Sequence, residues 1–265
     1  MGVPRTIRLP MSLPDRAPPD PGRAGRRRRL ATGRPWPTTT DVAVTADASD
    51  SVLRETLAEG ANRLGVPLRP EQLDRLLEYR ALLEKWSRVH NITAVRDGPA
   101  IVARHLLDSL AIVPALRRQA ESSVGRPLRV LDAGSGAGLP GIVVAIVMTD
   151  VEVCCVDAVA KKAAFVRHAV AELTLPNIRV EHARVEALDA GPFDVVVSRA
   201  FASLADFVRL TRRHVRRGGV WLAMKGQRSD EETAALPADV EMFHVEPIDV
   251  PGVAAPRCLI WMRAR

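Results

Sequence analysis

The residues best suited to chemistry lie in one stretch, Asp132-Ala-Gly-Ser-Gly-Ala-Gly-Leu-Pro-Gly141. A short apolar run from Leu128 ends in the carboxylate of Asp132, and glycines follow at 134, 136, 138 and 141. Ile142–Val147 is then apolar throughout. This pattern predicts a strand, a glycine-rich turn and a buried helix. Such a turn leaves no side chains between the backbone and a ligand, whose polar groups can meet free amides at the helix N-terminus. Gly136-Ala-Gly138-Leu-Pro-Gly141 also fits the dinucleotide pattern G-x-G-x-x-G, and Asp157 ends the next apolar run. An acid at that place accepts hydrogen bonds from both hydroxyls of a ribose, or caps the following helix.

Three observations favour S-adenosylmethionine over a dinucleotide. Asp132 stands two residues before Gly134, where a carboxylate reaches the cationic amino-acid end of that cofactor. The only tyrosine, Tyr79, lies far upstream with no lysine four residues on, so a Tyr/Lys proton-transfer pair is missing. No later segment resembles a catalytic domain of its own. After the third expected strand, the backbone of Val185-Glu186 is placed to hold an adenine edge, with Val185 against the ring face.

The segment after the fourth expected strand, Ser198-Arg-Ala-Phe-Ala-Ser203, bears on the acceptor. It has neither an Asn/Asp-Pro-Pro-aromatic motif for an exocyclic amine nor a cysteine for attack on a pyrimidine carbon. The remaining simple target is a ring nitrogen with a free lone pair, such as guanine N7. That atom carries no proton to remove, so alignment and an electrostatic setting suffice, and no catalytic acid/base dyad is expected. Arg199 is read as a contact to the bound ligand or to a phosphate. Asn91, Arg96, Arg104, His105, Asp108 and Lys225-Gly226 are expected to converge on the same mouth, although His105 alone reads better as a packing histidine. Arg212, Arg213, Arg216 and Arg217 either complement a helix dipole or add to a nucleic-acid face.

These residues need an alternating scaffold to position them. Strands are expected near 128–133, 151–156, 178–182, 193–198, 219–224, 240–246 and 257–262. Helices are expected near 139–147, 160–173, 203–216 and 229–236. No helix separates the last two strands, which predicts an antiparallel hairpin at one edge of a mostly parallel sheet. Upstream, Asp50-Ser51 is read as the cap of a helix to about Leu64, Pro70 as the start of a second helix ending at a His90-Asn91 turn, and Pro99–Val113 as a third that Pro114 bends or ends. The predicted division is an Arg/Pro-rich disordered tail over 1–48, a helical cap over 49–121 and a catalytic domain over 122–265.

Composition sets bounds on the partners. Nine arginines against Asp15 and Asp20 in residues 1–40 account for the whole net charge of +7, leaving the rest balanced. A sequence pI near 10.1 is thus a property of the tail, and a nucleic-acid face on the fold must come from local clustering. No apolar run is read as approaching the roughly 20 residues needed to cross a bilayer, and no secretory signal is expected. Cys154, Cys155 and Cys258 read as small buried hydrophobes in a reducing cytoplasm, with no metal set.

Taken together, the chain resembles the bacterial 16S ribosomal RNA guanine-N7 methyltransferases, the RsmG family, also called GidB. The resemblance spans about residues 52–265. It rests on Trp86, Asn91-Ile-Thr-Ala-Val-Arg96, His105-Leu-Leu-Asp-Ser-Leu110, Asp132–Gly141, Ser198–Ser203 and Lys225-Gly226. It implies a class I S-adenosylmethionine-dependent methyltransferase of the α/β class, with a Rossmann-like, seven-stranded sheet, acting on a small-subunit guanine conventionally numbered 527. It further implies cofactor contacts at Gly134, Leu139, Asp157, Val185-Glu186 and Arg199, to which the chemistry adds Asp132 and the neighbouring Gly136. Asn91, Arg96, Arg104, His105 and Lys225 are then candidates for the RNA side, and 16S rRNA or the small ribosomal subunit is the expected partner of a cytoplasmic monomer with no membrane. One departure is that the family's Leu-Asp-Ser and Gly-Lys-Arg are here Val156-Asp157-Ala158 and Lys161-Lys162, which keeps the acid and the basic pair.

Overall fold

Short β-branched runs become strands here because both of their faces can be covered by helices. The computed structural model describes residues 43–265 apart from 96, 124, 200 and 202, so the Arg/Pro-rich segment before 43 lies outside the described residues. Seven strands form one sheet: β1 Arg129–Ala133, β2 Glu152–Asp157, β3 Ile178–His182, β4 Phe193–Ser198, β5 Val215–Lys225, β6 Val240–Ile248 and β7 Arg257–Ala264. Their order is β3-β2-β1-β4-β5-β7-β6. All pairings from β3 to β5 are parallel, and β7 runs antiparallel to both β5 and β6. This is the expected class I methyltransferase sheet with its terminal antiparallel hairpin. The strand order reverses between β1 and β4, so the carboxyl ends of these two strands frame the crevice where open α/β sheets bind ligands.

The strands sort their side chains with a period of two. Val130, Val153, Cys155, Val195 and Val197 face one apolar layer; Leu131, Cys154, Val156 and Val196 face the other. The first layer is closed by α6 Gly141–Val147 and α7 Ala160–Glu172 together with the N-terminal helices α1 Ala43–Arg63 and α2 Pro70–His90. The second is closed by α8 Leu204–Thr211. The cap and one face of the sheet thus share one continuous core, and Asp41–Arg265 forms one compact unit. The division near 121 separates kinds of element, not separate cores.

Buried Gln72 shows how α2 grips the sheet layer. Its amide donates to the carbonyls of Val147 (3.1 Å) and Ile146 (3.4 Å), which α6 leaves without helical partners at its C-terminal end. Asn177 Nδ2 serves Ala145, Met148 and Val151 on the next turn of chain.

Four boundaries differ from expectation. Helix α1 starts at Ala43, upstream of the Asp50-Ser51 cap and inside the segment read as tail, because Ala43–Asp50 is alanine-rich enough to propagate the helix backward. The third helix is broken into α3 Gly98–Ile101, a π-helical stretch Val102–Leu107 and α4 Asp108–Leu110. Pro114 then lies in the first turn of a new helix, α5 Val113–Glu121, where its missing N–H costs nothing. Helix 203–216 stops at Thr211, and β5 begins at Val215 with a bulge that carries Gly218 (φ 78°).

The arginine cluster is consequently dispersed. Arg212 pairs with Asp239, Arg213 donates to the Leu188 carbonyl, and Arg216 joins Arg126 on the buried carboxylate of Asp194. Finally, among the described residues Gly98–Glu121 is long and apolar enough to cross a membrane, with mean hydropathy 1.4, which the sequence reading did not flag. However, 67% of its apolar 18-residue window is buried inside the molecule.

Candidate active site

The turn after β1 takes the course its glycines permit. Gly134, Gly136 and Gly138 have φ of 69°, 60° and 84°, a left-handed conformation that side chains disfavour. The amides of Gly134 and Ser135 donate to the Val156 carbonyl at 2.9 and 3.0 Å, tying the turn to the end of β2. Asp157, 8% exposed, adds a second tie: Oδ2 accepts from the Gly136 amide (2.8 Å) and Oδ1 from the Val159 amide (2.8 Å). It does not occupy the N-cap position of α7, which falls to Val159. Each carboxylate oxygen keeps a further acceptor site. A Cβ built on Gly136 meets nothing within 4 Å, so the space over the turn is open.

Tyr79, on α2, holds this turn from the cap side. Its hydroxyl donates to the Ala137 carbonyl at 2.5 Å, and burial pushes the phenol pKa well up, keeping it a donor. Tyr79→Phe is expected to leave the fold intact and weaken occupation of the turn about fivefold, roughly one hydrogen bond. Isothermal calorimetry with S-adenosylmethionine measures this; unchanged affinity would show that α6 and β2 alone fix the turn.

Asp132 is fully buried beneath the turn. Its Oδ2 accepts from the Gly141 amide at 2.8 Å, at the start of α6. Oδ1 is buried and has no hydrogen-bond partner among the described residues. Burial raises this carboxyl pKa to about 7, against the pull of the Gly141 amide and the Arg199 charge.

Leu139 is 3% exposed and packs in the first apolar layer. Val185 opens the 3-10 turn Val185–Ala187, and its side chain lies in the second layer with Leu188 and Phe207. The Val185 carbonyl accepts from Leu188 N and faces His214 Nε2 at 2.7 Å, while His214 Nδ1 faces the Ala190 carbonyl at 3.0 Å. Buried His214 was missed from sequence, where nothing distinguishes it from a surface histidine. Glu186 is exposed.

Beside the turn, the π-helical stretch and the ends of β4, β5 and β7 enclose a cavity of about 390 Å³. Its lining includes Arg104, His105, Asp108, Arg199, Lys225, Gly226 and Arg257. Asp108, 5% exposed, organises it: Oδ2 accepts from Arg199 Nη1 (3.0 Å) and Oδ1 from Arg257 Nε (2.8 Å). Lys225 Nζ donates to Glu232 Oε1 at 2.8 Å. His105 Nδ1 faces the Arg104 carbonyl at 3.0 Å and must be its donor, so Nε2 accepts from Thr93 Oγ1 at 2.7 Å. Burial and the Arg199 charge lower its pKa, which fits a satisfied packing histidine. Six expected residues (Arg104, His105, Asp108, Arg199, Lys225 and Gly226) therefore converge. Asn91 instead forms the left-handed C-cap of α2 (φ 51°) away from the lining, and Arg96 lies outside the described residues. Asp108's double pairing and Arg257 were not anticipated.

The family described as GidB, rRNA small subunit methyltransferase G, matches residues 72–260. The chain belongs to this family. A protein of Leptothrix cholodnii described as ribosomal RNA small subunit methyltransferase G is 53% identical over 212 residues, covering 80% of this chain and 96% of that protein. Proteins with the same description from Acidovorax sp. (strain JS42) and Polaromonas naphthalenivorans are 54% and 49% identical. They cover 81% and 82% of this chain and 97% and 98% of their own lengths. The GidB match begins in α2 and ends in β7, so it takes in the glycine turn, Asp157, the π-helical stretch and Arg257.

Proposed function

We propose that this chain transfers a methyl group from S-adenosylmethionine to N7 of a guanine in 16S small-subunit rRNA, in the cytoplasm. The observation that carries the cofactor is the buried, unpartnered Oδ1 of Asp132 beneath an open glycine turn at the β1/β4 crevice. A lone carboxylate oxygen there is costly unless a cationic donor reaches it, and an α-ammonium fits that need. Asp157 offers its remaining acceptor sites to the ribose hydroxyls, the backbone at Val185-Glu186 offers polar groups to an adenine edge, and Arg199 stands beside the turn with a guanidinium for the carboxylate. Bound there, S-adenosylmethionine supplies a methyl group on a positively charged sulfur.

N7 as the acceptor is supported by two titratable groups of the cavity that are already engaged. His105 has both ring nitrogens engaged, and Asp108 has both oxygens on arginines. Neither is poised to remove a proton, which suits a nucleophile that carries none. The protein's contribution is then alignment and the exclusion of water. The test is to map 7-methylguanine in small-subunit rRNA from a deletion strain and from the same strain complemented. Loss of one methyl mark, restored by the chain, is expected; an unchanged pattern sinks the reading.

Asp132 makes cofactor binding pH-dependent. Its pKa of about 7 lies above the ordinary 3.8, so the folded protein retains a proton that the unfolded chain releases. Its contribution to stability is therefore full below about pH 4 and is lost as pH rises toward 7, by about 4 kcal/mol at most. An ammonium at Oδ1 favours the carboxylate, so binding near pH 7 should expel up to about half a proton. Calorimetry in buffers of different ionisation enthalpy should detect it, and Asp132→Asn should abolish it. Buffer-independent heats in the wild type would remove Asp132 from the ammonium site.

A further inference from the structure

We propose that the part of the cavity farthest from the glycine turn is an anion subsite that receives a backbone phosphate of the RNA, with Arg257 as its main ligand. The inference rests on the rRNA reading and deepens it. Arg199 follows β4, the neighbour of β1, and its charge is felt at Asp132. Arg257 opens β7, two strands further from β1, a separation of about 10 Å at ordinary strand spacing. Asp108 lies between the two arginines and holds both. Arg199 is thus placed for the cofactor, whereas Arg257 reaches the same carboxylate from a strand two places further from β1.

The charge at this end is not internally balanced. Among the described residues, Arg104, Arg199, Lys225 and Arg257 face two carboxylates, Asp108 and Glu232. Arg257 meets Asp108 through Nε alone and the Pro256 carbonyl through Nη1, so its fork is held at two points while partly exposed (29%) at the cavity wall. Gly226 lies beside it: a Cβ there would stand 3.8 Å from Arg257 Nη1, so glycine keeps this wall low. A preorganised guanidinium with a fixed orientation suits the planar, two-point recognition of a phosphate.

The test measures methyl transfer to small ribosomal subunits from the deletion strain at several salt concentrations. It compares the wild type with Arg257→Gln and Arg257→Lys, and follows S-adenosylmethionine affinity by calorimetry. Arg257→Gln should raise KM for subunits about tenfold, more than it lowers kcat, and leave cofactor affinity unchanged. The slope of log KM against log salt should fall by about 0.7–0.9, one phosphate contact. Arg257→Lys should recover most of the slope but not all of the affinity. If Arg257→Gln melts at the assay temperature, Arg104→Gln, whose guanidinium does not hold Asp108, should show the same changes in weaker form. An unaltered salt slope in these variants overturns the subsite, and lost cofactor affinity reassigns the anion to the cofactor carboxylate. If the wild type itself leaves these subunits unmethylated, the rRNA reading fails instead, a result separable from failure of the subsite.

Discussion

Replacing Gly141 with alanine is expected to destabilise the protein by about 3 kcal/mol and to weaken cofactor binding at least tenfold. Gly141 opens α6 against the carboxyl ends of β1 and β2. A Cβ at this position would overlap the sulfur of Cys155 and stand 2.9 Å from Asp132 Oδ2. Cys155 is fully buried on a central strand and has nowhere to move, so the helix must lift. Lifting it breaks the bond from the Gly141 amide to Asp132 and leaves Oδ2 only the long 3.9 Å contact from the Cys155 thiol. The steric origin has its own control. Cys155→Ala removes the sulfur, so Gly141→Ala/Cys155→Ala should be more stable than Gly141→Ala alone, a coupling visible in a double-mutant cycle of thermal melts. Simple additivity would show that the clash is absorbed elsewhere.

Asp157→Ala is expected to lower S-adenosylmethionine affinity about 100-fold while the protein stays folded. The carboxylate does two jobs in one place. It fixes the turn through the Gly136 and Val159 amides, and it presents acceptors toward the proposed ribose. Losing two charge-assisted bonds to a ligand accounts for a change of this size. The site is close enough to solvent that water can replace the two backbone contacts, so the fold should survive. Asp157→Asn is informative beside it. The amide oxygen can serve only one of the two backbone donors well, so most of the affinity should still be lost. Calorimetry paired with thermal melts checks both, and an alanine variant with unaltered affinity would take Asp157 out of the cofactor site.

What could be read from the sequence was whatever is written locally. The glycine spacing, Asp132, Asp157 and the β-branched runs lie within single turns or strands, and their places in the sheet follow from period and order. What escaped notice depends on partners far away in the chain. Tyr79 meets Ala137 across 58 residues, Arg199 meets Asp108 across 91, and Arg257 meets Asp108 across 149. A lone tyrosine or arginine has no spacing that announces such a partner. The same limit explains the arginine cluster at 212–217. Adjacent in sequence, those side chains are sent to different acceptors because the helix stops at Thr211 and β5 begins with a bulge. The direction in which Asp132 points was also invisible. A carboxylate before a glycine turn reads as a ligand, whereas packing against Gly141 turns it under the loop and leaves a single oxygen to spare.

β7 lies between β5 and β6, although it follows both in the chain. During synthesis, β5 and β6 are therefore complete before the strand that joins them exists. Until Arg257–Ala264 emerges, each presents rows of unsatisfied amides and carbonyls, an open invitation to other strands. Arg257 is the first residue of that joining strand, so Asp108 receives its second guanidinium only as the gap is filled. Closing the sheet and completing the double pairing of Asp108 are in this way one event.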